Sequence, residues 1–342
     1  MTRRLVVDLQ SPRAAWRVPP QAVATIRDAL GQGWEVVNVT APAASDGDGG
    51  SGSDESIRAA RGAEIYLGFG VPRGVLDAGS GTLRWAHSGT AGVGSSLAHL
   101  RGTDVVLTNS AGIHAEPMAD WVLAAIAYFA RGLDHQIAAQ RRAHWAKGDF
   151  ADLAIPLTEL RDLRVGLLGL GGIGRAVAAR CAALGMRVAA LRRRPELGGG
   201  PGVTWVGGLD ELERLAAESD CLVVAAPETG ATAGVVTRRV LELLPAGAVV
   251  VNVSRGGLVD EAALLELLQR GRLRGAALDV FATEPLPPQH PFWAHPRVLV
   301  SPHVSAVTTR FWERETGLIL DNVRRYLAGE RLRNVVDLEA GY

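Results

Sequence analysis

Cysteine is scarce in this chain of 342 residues: there are two, Cys181 and Cys221. They have no metal-type spacing and fall within apolar elements. That excludes a disulfide framework and a zinc site, and a reducing cytoplasm is the natural setting. An excess of charge of either sign is also missing. Lys and Arg total 36, as do Asp and Glu. With no long basic or acidic run, nucleic acid and anionic membrane surfaces are argued against as main partners. No apolar run approaches the ~20 residues needed to cross a bilayer. Asp8 interrupts what would be the apolar region of a signal peptide, so the N-terminus reads as a first strand. What remains is ordinary for a soluble globular protein: 47% apolar and 21% charged residues. A chain of this length favours two cores over one.

Short β-rich runs alternate with helical patterns throughout, the mark of βαβ units and parallel sheets. The first third predicts strands over 4–9, 34–39, 65–69, 83–87 and 105–108. The segment 41–56, rich in Gly, Ser, Asp and Ala, predicts a mobile surface loop. Met118, Val122, Ala125, Ile126 and Phe129 recur at helical spacing and predict a helix over 115–131, with Pro117 in its first turn. A second helical stretch runs to about 146. Further strands are expected over 165–168, 188–191, 221–225, 248–252, 276–279 and 298–300. Asp260 should cap a helix over 261–270 that Gly271 ends, and an amphipathic helix over 309–327 precedes the tail.

The strongest local motif is Gly169-Leu170-Gly171-Gly172-Ile173-Gly174, between a predicted strand and a predicted helix. Gly169 permits the turn off the strand, Gly171 lets backbone approach a pyrophosphate, and Gly174 lets helix and strand pack closely. The helix N-terminus offers unpaired N–H groups to phosphates. In NAD proteins the next strand ends in an acidic residue that binds the adenosine ribose. Here it ends in Arg192-Arg193-Arg194. Arginine pairs with a 2′-phosphate through charge-assisted bonds, so NADP(H) is favoured over NAD(H). The alternative is a solvated turn in an enzyme that uses NAD(H) or both cofactors.

Three residues downstream sit in marked contexts: Arg255 in Val253-Ser254-Arg255-Gly256-Gly257, Glu284 in Phe281-Ala282-Thr283-Glu284-Pro285, and His303 in Ser301-Pro302-His303-Val304-Ser305. Singly each has a bland reading: a surface charge, a turn cap, a satisfied loop histidine. With the Gly loop, the chain resembles the D-isomer-specific 2-hydroxyacid dehydrogenase family over nearly its whole length. The likeness is strongest over 165–306, weakest before 83, and nearest the glyoxylate/hydroxypyruvate reductase-like members.

The resemblance implies that Arg255 holds the carboxylate of a 2-keto acid, that His303 is the general acid/base, and that Glu284 keeps that histidine in its charged form. Formate dehydrogenases of the superfamily carry glutamine at the Glu284 position, which argues against formate. The resemblance also places Ala226, Pro227, Thr232, Val253, Ser254 and Asp279 beside the cofactor. It assigns the backbone of Ala91, Gly92 and Val93 to the substrate carboxylate, although Gly94 stands where the family usually has Asp. Arg73, Trp145 and Trp312 are candidates for shaping the substrate pocket. The alternatives are solvation for Arg73 and core or interface packing for the tryptophans. His87, His114 and His295 have no cluster spacing, and no metal site is expected.

The implied architecture is α/β, with two Rossmann-like domains and a deep cleft between them. A discontinuous flavodoxin-like substrate domain covers 1–112 and 304–342, and a dinucleotide-binding domain covers 113–303. Hinge closure over the cofactor and a homodimer through the nucleotide domains, by the apolar helix near 118–129, are further expectations. The implied activity is reduction of a 2-keto acid to the D-2-hydroxy acid. A short-type phosphoglycerate dehydrogenase is the alternative within the class, the tail after His303 leaving no room for a regulatory domain. A nucleotide-sensing, corepressor-like binding protein is the alternative outside it.

Overall fold

The computed structural model describes residues 2–43, 47, 49–339 and 341. The chain falls into two compact units, Met1–His114 with Val307–Tyr342, and Ala115–Ala306. The crossings therefore come after residues 114 and 306, where the sequence suggested 112 and 303.

The first unit holds five parallel strands: β1 (Arg3–Asp8), β2 (Trp34–Asn38), β3 (Ile65–Gly68), β4 (Trp85–Ser88) and β5 (Val106–Asn109). Their order, β2-β1-β3-β4-β5, is the flavodoxin-like one. Side chains alternate across the sheet as the pleat requires. Leu5 and Val7 join Ile65, Leu67 and Trp85 under the helices Pro20–Leu30 and Phe311–Ala328. Val6, Tyr66 and Leu107 join the opposite cluster, beneath helices Asp54–Ala60, Arg73–Ala78 and Gly94–Leu100. Each fully buried Leu, Ile or Val contributes roughly 1.5–3 kcal/mol of transfer free energy. The expected loop over 41–56 is shorter than it looked. Ser53 caps the helix that starts at Asp54, and the Glu55 carboxylate accepts from the amides of Thr40 and Ala41. Residues 44–46 and 48 lie outside the described residues.

The second unit holds seven parallel strands: β6 (Arg164–Leu168), β7 (Arg187–Leu191), β8 (Val203–Gly207), β9 (Cys221–Val224), β10 (Val249–Asn252), β11 (Gly275–Leu278) and β12 (Val298–Val300). Read from β8, the order is 3-2-1-4-5-6 with β12 added at the far edge, a dinucleotide-binding topology that reverses direction between β6 and β9. The sequence reading missed β8. It is a half-buried edge strand whose pairing with β7 shifts register between Val188 and Ala189, so it has no continuous apolar signature.

Two observations bear on the packing expectations. Met118, Val122, Ala125, Ile126 and Phe129 form one face of the helix Ala115–Ala130, and all are buried in this unit's own core with Val165, Leu167 and Val177. Those five side chains are taken up by the unit's own core, and a dimer contact through this helix would fall to its other residues. Helical periodicity announces burial but not what does the burying. The helical stretch after it breaks at Arg141, Ala143 adopts positive φ, and Trp145 is 87% exposed, so it packs into no core. Both cysteines are buried, and burial pushes the Cys181 thiol up to about 12 and raises that of Cys221 as well. No helix among the described residues is long and apolar enough to cross a membrane.

Candidate active site

In the second unit the Gly loop, the turn after β9, Arg255, Asp279 and His303 all follow the C-terminal ends of strands, where ligands bind in open α/β sheets. The Gly loop leaves β6 beside the point where strand order reverses. Gly169 has φ +108°, and a Cβ there would meet the backbone of Ala225 and Ala226. A Cβ on Gly174 would collide with the Gly169 carbonyl oxygen. One at Gly171 would stand in open space, and the amides of Gly172, Ile173 and Gly174 have no acceptor among the described residues. An orphan set of N–H groups at the start of the helix Gly172–Ala183, flanked by open space, fits a pyrophosphate. After β9, Thr232 locks the adjoining loop by accepting from the Thr229 amide at 2.8 Å and donating to the Pro227 carbonyl at 2.6 Å.

Arg192 follows β7. Its amide donates to the Gly207 carbonyl, and its Nη1 donates to the Gly198 carbonyl at 2.8 Å. Arg193 and Arg194 are exposed. Among the described residues no acidic side chain pairs with Arg192 or Arg194, so a phosphate would meet no competing carboxylate on either.

Arg255 is presented by a turn that Asn252 brackets. The Asn252 side chain accepts from Ser254 N at 3.0 Å and donates to the Arg255 carbonyl at 2.9 Å. The Ser254 hydroxyl donates to the Ala226 carbonyl, which joins this turn to the one after β9. The Arg255 guanidinium is exposed, and among the described residues its hydrogen bond goes to its neighbour's carbonyl, Nη1 to Ser254 O at 2.7 Å. Gly256 is required beside it. A Cβ there would overlap the backbone at Phe281 and Ala282, so glycine lets the Arg255 turn press against the segment that leads to Glu284.

His303 Nδ1 lies 2.8 Å from Glu284 Oε2, and Glu284 Oε1 accepts from the Phe281 amide at 2.9 Å. The ring is half exposed and sits on backbone of φ +56°, a conformation non-glycine residues rarely adopt. Asp279 holds that loop. Fully buried at the end of β11, its Oδ1 accepts from the Ser301 hydroxyl at 2.6 Å and Val304 N at 2.8 Å, and its Oδ2 accepts from Ser305 N at 2.9 Å. The sequence reading put Asp279 at the cofactor, whereas its hydrogen bonds go to the loop that carries His303. Asn252 and Ser301 were missed. Both are polar residues at the ends of apolar strands, a signal that marks a turn without saying whose atoms it ties.

In the first unit, the loop after β4 presents the amides of Ala91, Gly92 and Val93, which have no acceptor among the described residues. The helix Gly94–Leu100 starts at the position where the Asp is absent. Arg73 is exposed and paired with Asp77 one helical turn on, at 2.9 Å. Trp312 packs edge-on against Phe311 beside this unit's core. His87 is a satisfied core histidine, bonded to Thr108 Oγ1 at 2.8 Å and Glu315 Oε1 at 2.9 Å.

Comparison with known proteins agrees with this geometry. A family model described as "D-isomer specific 2-hydroxyacid dehydrogenase, NAD binding domain" matches residues 123–305. The chain is 31% identical over 258 residues to glyoxylate/hydroxypyruvate reductase A of Yersinia enterocolitica, covering 75% of each. A D-isomer specific 2-hydroxyacid dehydrogenase from Xanthobacter autotrophicus Py2, crystallised with NADPH and MES, matches over 100% of both chains at 31% identity and TM-score 0.80. An NADPH-dependent glyoxylate/hydroxypyruvate reductase from Sinorhizobium meliloti, crystallised with NADP and sulfate, matches over 99% of this chain and 100% of its own, at 25% identity and TM-score 0.76. The chain belongs to the D-isomer-specific 2-hydroxyacid dehydrogenase family, and is an oxidoreductase whose second unit is a nicotinamide-cofactor-binding domain.

Proposed function

We propose that this protein reduces a small 2-keto acid to the D-2-hydroxy acid, with NADPH favoured over NADH. The observation that carries the reading is the His303–Glu284 pair, 2.8 Å apart, on a loop fixed by Asp279 at the strand-end edge that also presents Arg255. With Glu284 accepting from Nδ1, the Nε2 atom of His303 is left to pass a proton to the substrate oxygen. Arg255 supplies a planar cation for the substrate carboxylate and carbonyl. The Ala91–Val93 amides of the first unit are neutral donors suited to a substrate carboxylate. The nicotinamide, when bound, supplies the hydride. The amides of Gly172–Gly174 would hold its pyrophosphate. Arg192 to Arg194 would meet a 2′-phosphate, in keeping with the NADPH-bound relative. The reductases named for glyoxylate and hydroxypyruvate make those the first substrates to try.

The test is turnover with NADPH and with NADH over a panel containing glyoxylate, hydroxypyruvate and phenylpyruvate. Preferential NADPH oxidation with a short keto acid is the expected result. No oxidation of either cofactor with any keto acid would overturn the reading.

A further inference from the structure

The Ala91–Val93 amides are available because something else has claimed the carbonyls behind them. In a trans peptide the N–H of one residue points opposite to the C=O of the residue before it. Three consecutive carbonyls here are each held by a donor. Thr90 O accepts from Ser110 N at 3.1 Å, Ala91 O from Asn109 Nδ2 at 2.8 Å, and Gly92 O from Thr90 Oγ1 at 2.7 Å. Each pinned carbonyl therefore turns one amide, of Ala91, Gly92 and Val93 in order, away from its anchor. Two of the three anchors are side chains. Asn109 is buried, and its Oδ1 accepts from Ala111 N at 3.2 Å, which sets which way its amide group faces. The Thr90 hydroxyl lies 2.8 Å from Ser88 Oγ, which accepts from Gly70 N at 3.1 Å. Donation then runs one way, from Gly70 N through Ser88 and Thr90 to Gly92 O, and each hydroxyl both accepts and donates.

We propose that Thr90 and Asn109 are positioning residues for substrate recognition: Asn109 aims the Gly92 amide, and Thr90 aims the Val93 amide, at the carboxylate of the 2-keto acid. This rests on the assignment of those amides to the substrate carboxylate made above. Neither side chain needs to touch the substrate, so their effect falls on carboxylate binding and spares cofactor binding.

The experiment compares Thr90→Val, Thr90→Ser and Asn109→Ala with the wild type, using glyoxylate as substrate and oxamate as a carboxylate-bearing inhibitor. NADPH affinity is read by fluorescence and folding by circular dichroism. Thr90→Val keeps the side chain's shape and removes its hydroxyl. The expected result is a KM for glyoxylate and a Ki for oxamate that rise together by about tenfold, one well-placed hydrogen bond to a charged group. The rise in kcat/KM cost should lie in KM far more than in kcat, as for lost uniform binding. NADPH affinity stays at the wild-type value and Thr90→Ser restores both constants. Unchanged KM and Ki in folded Thr90→Val and Asn109→Ala proteins would overturn the proposal, as would a Thr90→Ser protein as impaired as Thr90→Val. A wild type that reduces no keto acid would fail the functional reading itself, a result distinct from either.

Discussion

His303, the acid/base of the proposed reaction, sits on strained backbone. Its positive φ sets the ring on Glu284, and three hydrogen bonds donated to Asp279 by Ser301, Val304 and Ser305 keep the loop in that shape. Substituting His303→Ala removes the proposed proton donor and leaves the Gly loop untouched. Turnover should fall by about 10²–10⁴-fold while NADPH affinity measured by fluorescence titration holds; turnover within tenfold of wild type would remove His303 from the reaction. Arg192 carries the parallel prediction for the cofactor. Arg192→Asp puts an acceptor at the end of β7, where a ribose hydroxyl would be welcomed and a 2′-phosphate repelled. The ratio of kcat/KM for NADPH to that for NADH should drop by at least about tenfold, the worth of one charge-assisted pair. An unchanged ratio would mean the arginine faces solvent only.

At this scale the sequence was most informative about placement. The short contexts of glycine, proline and strand-ending residues around Arg255, Glu284 and His303 marked turns after strands, and the structure puts Arg255 and His303 there, with Glu284 paired to His303. The roles of Asn252, Thr90 and Asn109 were not legible. Their work is done by single hydrogen bonds to backbone atoms of other turns, and Asn or Thr at the end of a strand looks the same whether it braces a site or an ordinary bend.

Elements that obey one strong rule were read closely. β12 was expected over 298–300 and found there, and Asp260 caps its helix by accepting from Ala263 N. Failures came where local pattern and tertiary partner diverge. β8 pairs on one side only and lacks an apolar run, and the helix Ala115–Ala130 hides its apolar face in its own unit. Asp279 ties the end of β11 to the loop after β12, the loop that carries His303. In Asp279→Asn one of the two accepting oxygens becomes an NH2 group facing an N–H or hydroxyl, and at least one tie is lost. A displacement of the His303 loop of even ~1 Å should lower kcat by up to about 10²-fold. Stopped-flow single turnovers would show the loss in the chemical step. A full-rate chemical step would mean that the remaining bonds hold the loop unaided.

For the whole molecule the sharpest measurable consequence of the charge distribution lies in acid. The two units put paired carboxylates at structurally similar places, the starts of sheet strands. In the first unit the Arg3 guanidinium holds the Glu64 carboxyl below its ordinary range. In the second, burial pushes the Asp220 carboxyl up, and the Arg164 guanidinium and amide at the start of β6 outweigh it, leaving the group below its ordinary range. A carboxylate whose pKa is lower folded than unfolded stabilises the fold fully above the unfolded value of about 3.9, and loses that contribution as pH falls through the folded one. Asp8 works in the opposite sense. Burial raises its carboxyl despite the 2.6 Å bond from the Tyr66 hydroxyl, so holding it charged costs stability at neutral pH and that cost is relieved on acidification. Asp220→Asn should therefore lower unfolding free energy near pH 7 by about 1 kcal/mol, the scale of a partly exposed, well-formed pair, with the deficit shrinking as pH falls through the lowered folded-state pKa and the wild-type carboxyl takes up its proton. Asp8→Asn should show the reverse slope, gaining relative to wild type as pH rises from 4 to 7. Urea unfolding followed from about pH 7 down to about pH 2 measures both, and wild-type and Asp220→Asn proteins of equal stability at pH 7 would mean the Arg164 pair contributes nothing net to the fold.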